Sequence, residues 1–305
     1  MTQTEELEEL AKQGQVKAQI QLGRCYANGI GVAEDYDKAE EWFRAAADQG
    51  DAEAKQEYDV IVVKYFVRAL EHDTKGDYDQ AIADYTKAIS LDPNHSLMYY
   101  NRGFVYYNKG DYDQAIDDFT KAIGFDPKNI MYVYTGRGLA YCNKGDYDQA
   151  MDDFAKAISL DPNGTYAYNC RGIAYYKKGD YDQAIADFAK SISIDPNDIS
   201  AYNGRGAVYG NKGDYDLAID DYTKVIDLNP NDAEVYYNRG LMRKIKGDYD
   251  QAIEDFTKTI GLDPNYEAAY THRSSVWAAL GLCRHCGGGV DGIVTKKCKS
   301  CGKDN

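Results

Sequence analysis

Four of the seven cysteines fall in the last 23 residues as two Cys-x-x-Cys pairs, Cys283 with Cys286 and Cys298 with Cys301, eleven residues apart. Thiolates at that spacing suit one zinc ion held tetrahedrally by four sulfurs, a closed structural site with no open position for a substrate. The other cysteines, Cys25, Cys142 and Cys170, are scattered, so the pattern is that of a metal site and not of a disulfide framework. His285 stands between two of these cysteines and reads as a solvent-facing neighbour. Lys296, Lys297 and Lys299 could touch a phosphate backbone, but three lysines are more simply explained as solvating the tail or offsetting thiolate charge.

Elsewhere catalysis has little to use. The histidines are His72, His95, His272 and His285. Neither G-x-S-x-G nor G-x-x-x-x-G-K-[ST] occurs, and the Gly-x-Gly pairs at Gly136 and Gly204 follow no strand pattern. Carboxylate pairs such as Asp117/Asp118 and Asp152/Asp153 recur at matching places, whereas a catalytic pair would be unique. A non-enzymatic protein is expected. With 50 Asp plus Glu against 35 Lys plus Arg, the net charge is -15, so the bulk of the chain lacks the basic footprint of a duplex binder. The start, MTQTEELEELAKQG, has neither the basic nor the apolar region of a signal peptide. No apolar run approaches the ~18 residues of a bilayer span. A soluble, cytoplasmic protein without a membrane partner is expected.

The elements that must carry any binding residues come in copies. The bias of 29 Tyr against 8 Phe and 2 Trp points to a duplicated motif. Lys-Gly-Asp-Tyr-Asp begins at Lys75, Lys109, Lys144, Lys178, Lys212 and Lys246, a spacing of 34 or 35 residues. Behind each copy lies a helical pattern, as in Gln114 to Pro127, where Ala115, Ile116, Phe119, Ala122 and Ile123 share one face. Before each copy lies a second, such as Met98 to Lys109. Gly110 supplies a left-handed stop, Asp111 is expected to cap the next helix with Gln114 completing a capping box, and Asp126-Pro127 ends it. Each unit is a helix hairpin.

Period, hairpin form and residue pattern together resemble the tetratricopeptide repeat, whose signature falls on Tyr99, Gly103, Tyr106, Ala115, Phe119, Ala122 and Pro127 in the second copy. Six repeats are expected over 62–95, 96–129, 131–164, 165–198, 199–232 and 233–266, the first degenerate at Ala69 and His72. Residues 267–281 read as a capping half-repeat. Leu22 to Gly50, with Gly29, Gly31 and Val32 in its loop, resembles a Sel1-like repeat, so residues 1–61 hold that repeat and a junction helix. Residues 282–305 resemble a zinc ribbon, with Gly287 and Gly302 after the cysteine pairs. The fold expected is all-α, a right-handed solenoid of helix hairpins with a small four-cysteine ribbon.

The resemblance implies that first helices line a concave groove for a protein or peptide. The matching positions are Tyr100, Phe104, Tyr107 and Asn108; Tyr132, Leu139 and Asn143; Tyr166, Asn169, Ile173 and Tyr176; Asn203 and Asn211; and Tyr237, Leu241 and Ile245. Tyrosine and asparagine combine contact area with adaptable hydrogen bonding. A second register pairs Arg68, Arg102, Arg137, Arg171, Arg205 and Arg239, with Arg273 in the cap, against Asp84, Asp118, Asp153, Asp187, Asp221 and Asp255. It reads as a structural ladder of forked bonds sooner than as a grip on an anion. The function expected is a scaffold or adaptor holding a partner segment in the groove. The alternative is a nucleic-acid-associated regulator whose ribbon contacts RNA or DNA.

Overall fold

Sequence identity between copies makes the local structure repeat, and the turn within each repeat falls at a glycine. In the computed structural model, which describes residues 3–125 and 130–282, Gly76, Gly110, Gly145, Gly179, Gly213 and Gly247 all have φ between 80° and 94°. A side chain there would strain the backbone, so glycine is required. At Gly110 the amide donates to the Tyr107 carbonyl and that of Asp111 to the Tyr106 carbonyl, the paired bonds that close a helix end. The expected aspartate caps do not form: Asp77, Asp180, Asp214 and Asp248 make no side-chain cap bond. Their backbone is committed to ending the preceding helix and sits outside the usual capping geometry. At Asp111 and Asp248 the carboxylate pairs instead with the lysine two residues earlier, Lys109 at 3.4 Å and Lys246 at 3.3 Å.

The helices are α1 (Gln3–Lys12), α2 (Val16–Asn28), α3 (Tyr36–Ala47), α4 (Ala52–Lys75), α5 (Tyr78–Leu91), α6 (Ser96–Lys109), α7 (Tyr112–Phe125), α8 (Met131–Lys144), α9 (Tyr147–Leu160) and α10 (Thr165–Lys178). They continue as α11 (Tyr181–Ile194), α12 (Ile199–Lys212), α13 (Tyr215–Leu228), α14 (Ala233–Lys246), α15 (Tyr249–Leu262) and α16 (Glu267–Ala279). Among the described residues there is no strand element and no helix long and apolar enough to cross a membrane. The chain forms two compact units, residues 1–149 and 150–305, the division falling inside α9. The four-residue stretch between α5 and α6 and its counterparts after α9, α11, α13 and α15 each begin at Asp-Pro or Asn-Pro, as expected of a residue that proline disfavours in a helix.

In the first unit, α2 and α3 pack as a hairpin and are fastened to α4. Arg24 donates to Glu53 at 2.8 Å and to Glu57. Asp37 accepts from the Tyr65 hydroxyl at 2.8 Å and pairs with Lys87 at 2.6 Å, and the Lys87 bond holds the Asp37 carboxyl below its ordinary range. The segment from Asp51 onward is one helix of 24 residues, capped by the Asp51 carboxylate, so the division expected between residues 61 and 62 lies within it. Each repeat core is a large ring set between small residues. Phe119 is fully buried, with a Cβ built on Gly103 or Gly136 only 2.9 Å from it. In the second unit Phe188 stands between Gly172 and Gly204 in the same way, at 3.0 and 2.5 Å. The Gly-x-Gly pairs are thus packing devices: Gly204 admits Phe188 of the preceding repeat and Gly206 admits Tyr222 of its own.

Candidate partner-binding faces

Each unit carries its own row of first-helix residues. In the first, α6 turns Tyr100, Phe104 and Tyr107 outward as half-buried rings in edge contact, centroids 4.9 Å apart for Tyr100 and Phe104 and 6.4 Å for Phe104 and Tyr107. Phe104 leans on the core ring of Phe119 at 5.1 Å, and burial pushes the Tyr100 phenol up. Asn108 is exposed, and Asn143 of α8 donates to the Tyr107 hydroxyl at 2.9 Å, joining neighbouring first helices. Leu139 is half-buried. Tyr132 stands 60% exposed.

In the second unit, Tyr166 is 58% exposed and Ile173 is exposed on the same helix. Asn211 of α12 donates to the Tyr176 hydroxyl at 2.7 Å, the bond seen between Asn143 and Tyr107. Asn203 is half-buried. Asn169 is only 8% exposed and its amide nitrogen donates to Asp198 at 2.7 Å, while its Oδ1 is buried with no hydrogen-bond partner among the described residues. Asp198 also accepts from Ser191 at 2.7 Å and caps α12 through Ala201. Tyr237 is half-buried among Tyr266, Phe256 and His272, with centroids 4.8, 5.9 and 5.7 Å away. Leu241 is half-buried and Ile245 exposed. Beside His272, the Lys244 ammonium lies 3.1 Å from its Nδ1 and donates to Ser275 at 2.8 Å. Burial, then that positive charge, lowers the His272 pKa.

The arginine register is spent within the repeats. Arg68 with Asp84, Arg102 with Asp118, Arg171 with Asp187, Arg205 with Asp221 and Arg239 with Asp255 each make two bonds between 2.6 and 3.1 Å. These aspartates are all nearly buried. Hydrogen bonding to aspartate raises the pKa of Arg68, Arg171 and Arg205. Among the described residues no second helix follows Arg273, and its pKa is lowered by burial. The same side chains also link repeats, since Arg102 donates to Thr86, Arg137 to Thr120, Arg239 to Thr223 and Arg273 to Thr257, all at 2.8 to 3.0 Å. A further ladder joins the lysine of one Lys-Gly-Asp-Tyr-Asp to the last aspartate of the preceding one. Lys109 pairs with Asp79, Lys144 with Asp113, Lys212 with Asp182 and Lys246 with Asp216, at 2.5 to 2.9 Å. Neither set of links was apparent from the sequence, although threonines recur 16 or 17 residues before the arginines. Cys283, Cys286, Cys298 and Cys301 lie outside the described residues, as do Asp126 and Pro127.

Comparison with known proteins agrees with this architecture. The TPR repeat profile matches residues 74–110, 138–179 and 174–213, and the tetratricopeptide repeat profile matches 96–129, 199–232 and 233–266. The Sel1 repeat profile matches 16–51, the stretch containing α2 and α3. The chain is therefore built of tetratricopeptide repeats over more than half its length, preceded by a Sel1 repeat. Among solved structures it is similar to a tetratricopeptide repeat protein of Parabacteroides merdae, at 23% identity and a TM-score of 0.57 over 86% of this chain and 98% of that one. It is also similar to the C-terminal part of a TPR repeat-containing protein of Cytophaga hutchinsonii, at 20% identity and 0.58 over 71% and 94%. MamA of Desulfovibrio magneticus, residues 41 to the end, matches at 26% and 0.51 over 56% and 96%. No curated protein matches the sequence.

Proposed function

We propose that the protein is a non-enzymatic scaffold or adaptor that holds a segment of another protein against the outward faces of its first helices. The observation that carries this reading is the matched pair of exposed tyrosines, Tyr132 and Tyr166, each the second residue of its first helix, on helices that Asn143–Tyr107 and Asn211–Tyr176 bonds join to their neighbours near the other end. Large, rigid rings carried on hydrogen-bonded, packed helices lose little freedom when a partner covers them. Tyr132→Ala and Tyr166→Ala each weaken capture of the partner by about 2 kcal/mol, some thirtyfold, with helical content unchanged. Capture that survives both substitutions refutes this siting. Nucleic acid retained in a salt-sensitive manner and lost on deletion of residues 283–305 supports the regulator reading instead.

The spacing of Cys283, Cys286, Cys298 and Cys301 supports a structural role for one zinc ion in the tail. A segment of about 20 residues cannot bury a sufficient core, so its order depends on the metal.

A further inference from the structure

Helix α4 buries Ala54, Ile61, Val62, Tyr65 and Ala69 along one side. Its other side is apolar as well. Val60, Val63, Val67 and Leu70 follow one another at steps of three, four and three residues, the seam of a helix that packs lengthwise against another, and all four are exposed. A helix apolar on opposite sides ordinarily has neighbours on both. Beside the stripe opens a cleft of about 690 Å³, walled by Val63 and Phe66 of α4 and by Leu91 and Leu97 across from them. Val63 is 58% and Leu97 48% exposed. Asp59, which lines the cleft, belongs to the turns by which α4 exceeds α6, α10, α12 and α14 in length.

The charge around it has one sign. Asp59 and Asp92 line the cleft beside His95, no lysine or arginine does, and neither carboxylate has an ion-pair partner among the described residues. The cations of the central turns of α4 face elsewhere: Lys64 and Arg68 lie over the Tyr36 ring at 5.4 and 4.5 Å, and Arg68 is committed to Asp84. A second copy of this chain would bring like charges together, each copy carrying -15.

We propose that the stripe and cleft dock an amphipathic helix of a partner protein, with aliphatic residues at steps of three and four and lysine or arginine beside them. Val60 to Leu70 spans ~15 Å, so about three turns of partner helix suffice. The site rests on the groove reading above and names its occupant at the first repeat, since Val63 and Leu97 hold the repeat position of Tyr132 and Tyr166, and Phe66 and Leu70 those of Tyr100 and Phe104.

The test uses the full chain and two fluorescein-labelled helical peptides of about 14 residues with the same leucine seam, one flanked by lysines and one by glutamates. Fluorescence anisotropy should show the lysine peptide binding at least about tenfold more tightly than the glutamate peptide. Val63→Ser with Val67→Ser, both at exposed positions, should weaken the lysine peptide about tenfold without loss of helical signal. Asp59→Lys with Asp92→Lys should reverse the preference, and Tyr166→Ala should change nothing. Three results overturn the proposal: neither peptide binds, the lysine peptide binds the double-serine variant unchanged, or the chain alone forms a dimer that Val67→Glu dissociates.

Discussion

Arg205→Leu isolates the contribution of one rung of the arginine ladder. Arg205 donates to Asp221 at 2.9 and 2.7 Å, and the Asp221 side chain is 6% exposed. The substitution keeps the aliphatic bulk but strands the carboxylate, at a cost of about 3 kcal/mol, the low end for a broken buried pair because Arg205 keeps some exposure. Arg239→Leu supplies the internal comparison. Asp255 retains a second cation there, since Arg243 donates to it at 2.7 Å, so the loss should be about half as large despite the additional Thr223 bond. Arg205→Leu combined with Asp221→Leu removes both charges and should return most of the stability. Repeat arrays do not unfold strictly in two states, so the quantity to read is amide hydrogen exchange in α12 and α13, beside urea unfolding followed by circular dichroism. The reasoning is refuted if the double substitution is as costly as the single one, or if Arg239→Leu costs as much as Arg205→Leu.

Gly204→Ala places a methyl 2.5 Å from Phe188 and should cost about 1–3 kcal/mol, with Phe188→Leu in the same chain relieving part of it; equal thermal melts for Gly204→Ala and the parent would refute this. Because the folded-state pKa of His272 lies below its unfolded value, the unfolded chain binds more protons, and stability of α14 to α16 should fall as pH drops through about 6.5. His272→Asn should flatten that dependence in melts taken between pH 5 and 8. Cys298→Ser should abolish one zinc per chain in elemental analysis while leaving the helical signal nearly intact, since each repeat contacts only its neighbours. Protein purified without chelators that carries no metal would falsify the zinc assignment.

Much of the fold is visible in the chain because its governing constraints are backbone constraints. A glycine at φ near 90° has no substitute, so the helix stops recur as identical residues, and the hairpins between them follow. The Arg/Asp register is legible for a related reason: both partners sit in one repeat, 16 residues apart, and recur together. Contacts between repeats are less legible. Asn169 matches a groove position, yet its amide nitrogen serves Asp198, the cap of α12, and only the placement of α12 decides that. Asp77 and its counterparts fit the sequence pattern of a helix cap but lie one residue after the glycine, where ending one helix takes precedence over starting another. Gly136 and Gly204 lacked a strand before them and so carried no meaning as a phosphate motif, but the absence of a side chain was itself the signal, since a ring from the preceding repeat occupies that space. Helix α4 presents the converse case. Its apolar pattern is too wide for one buried face, and Ile61 and Tyr65 account for only one side of it. Val60, Val63, Val67 and Leu70 remain unexplained by this chain's own packing, which is why a partner helix is the economical account of why they are apolar.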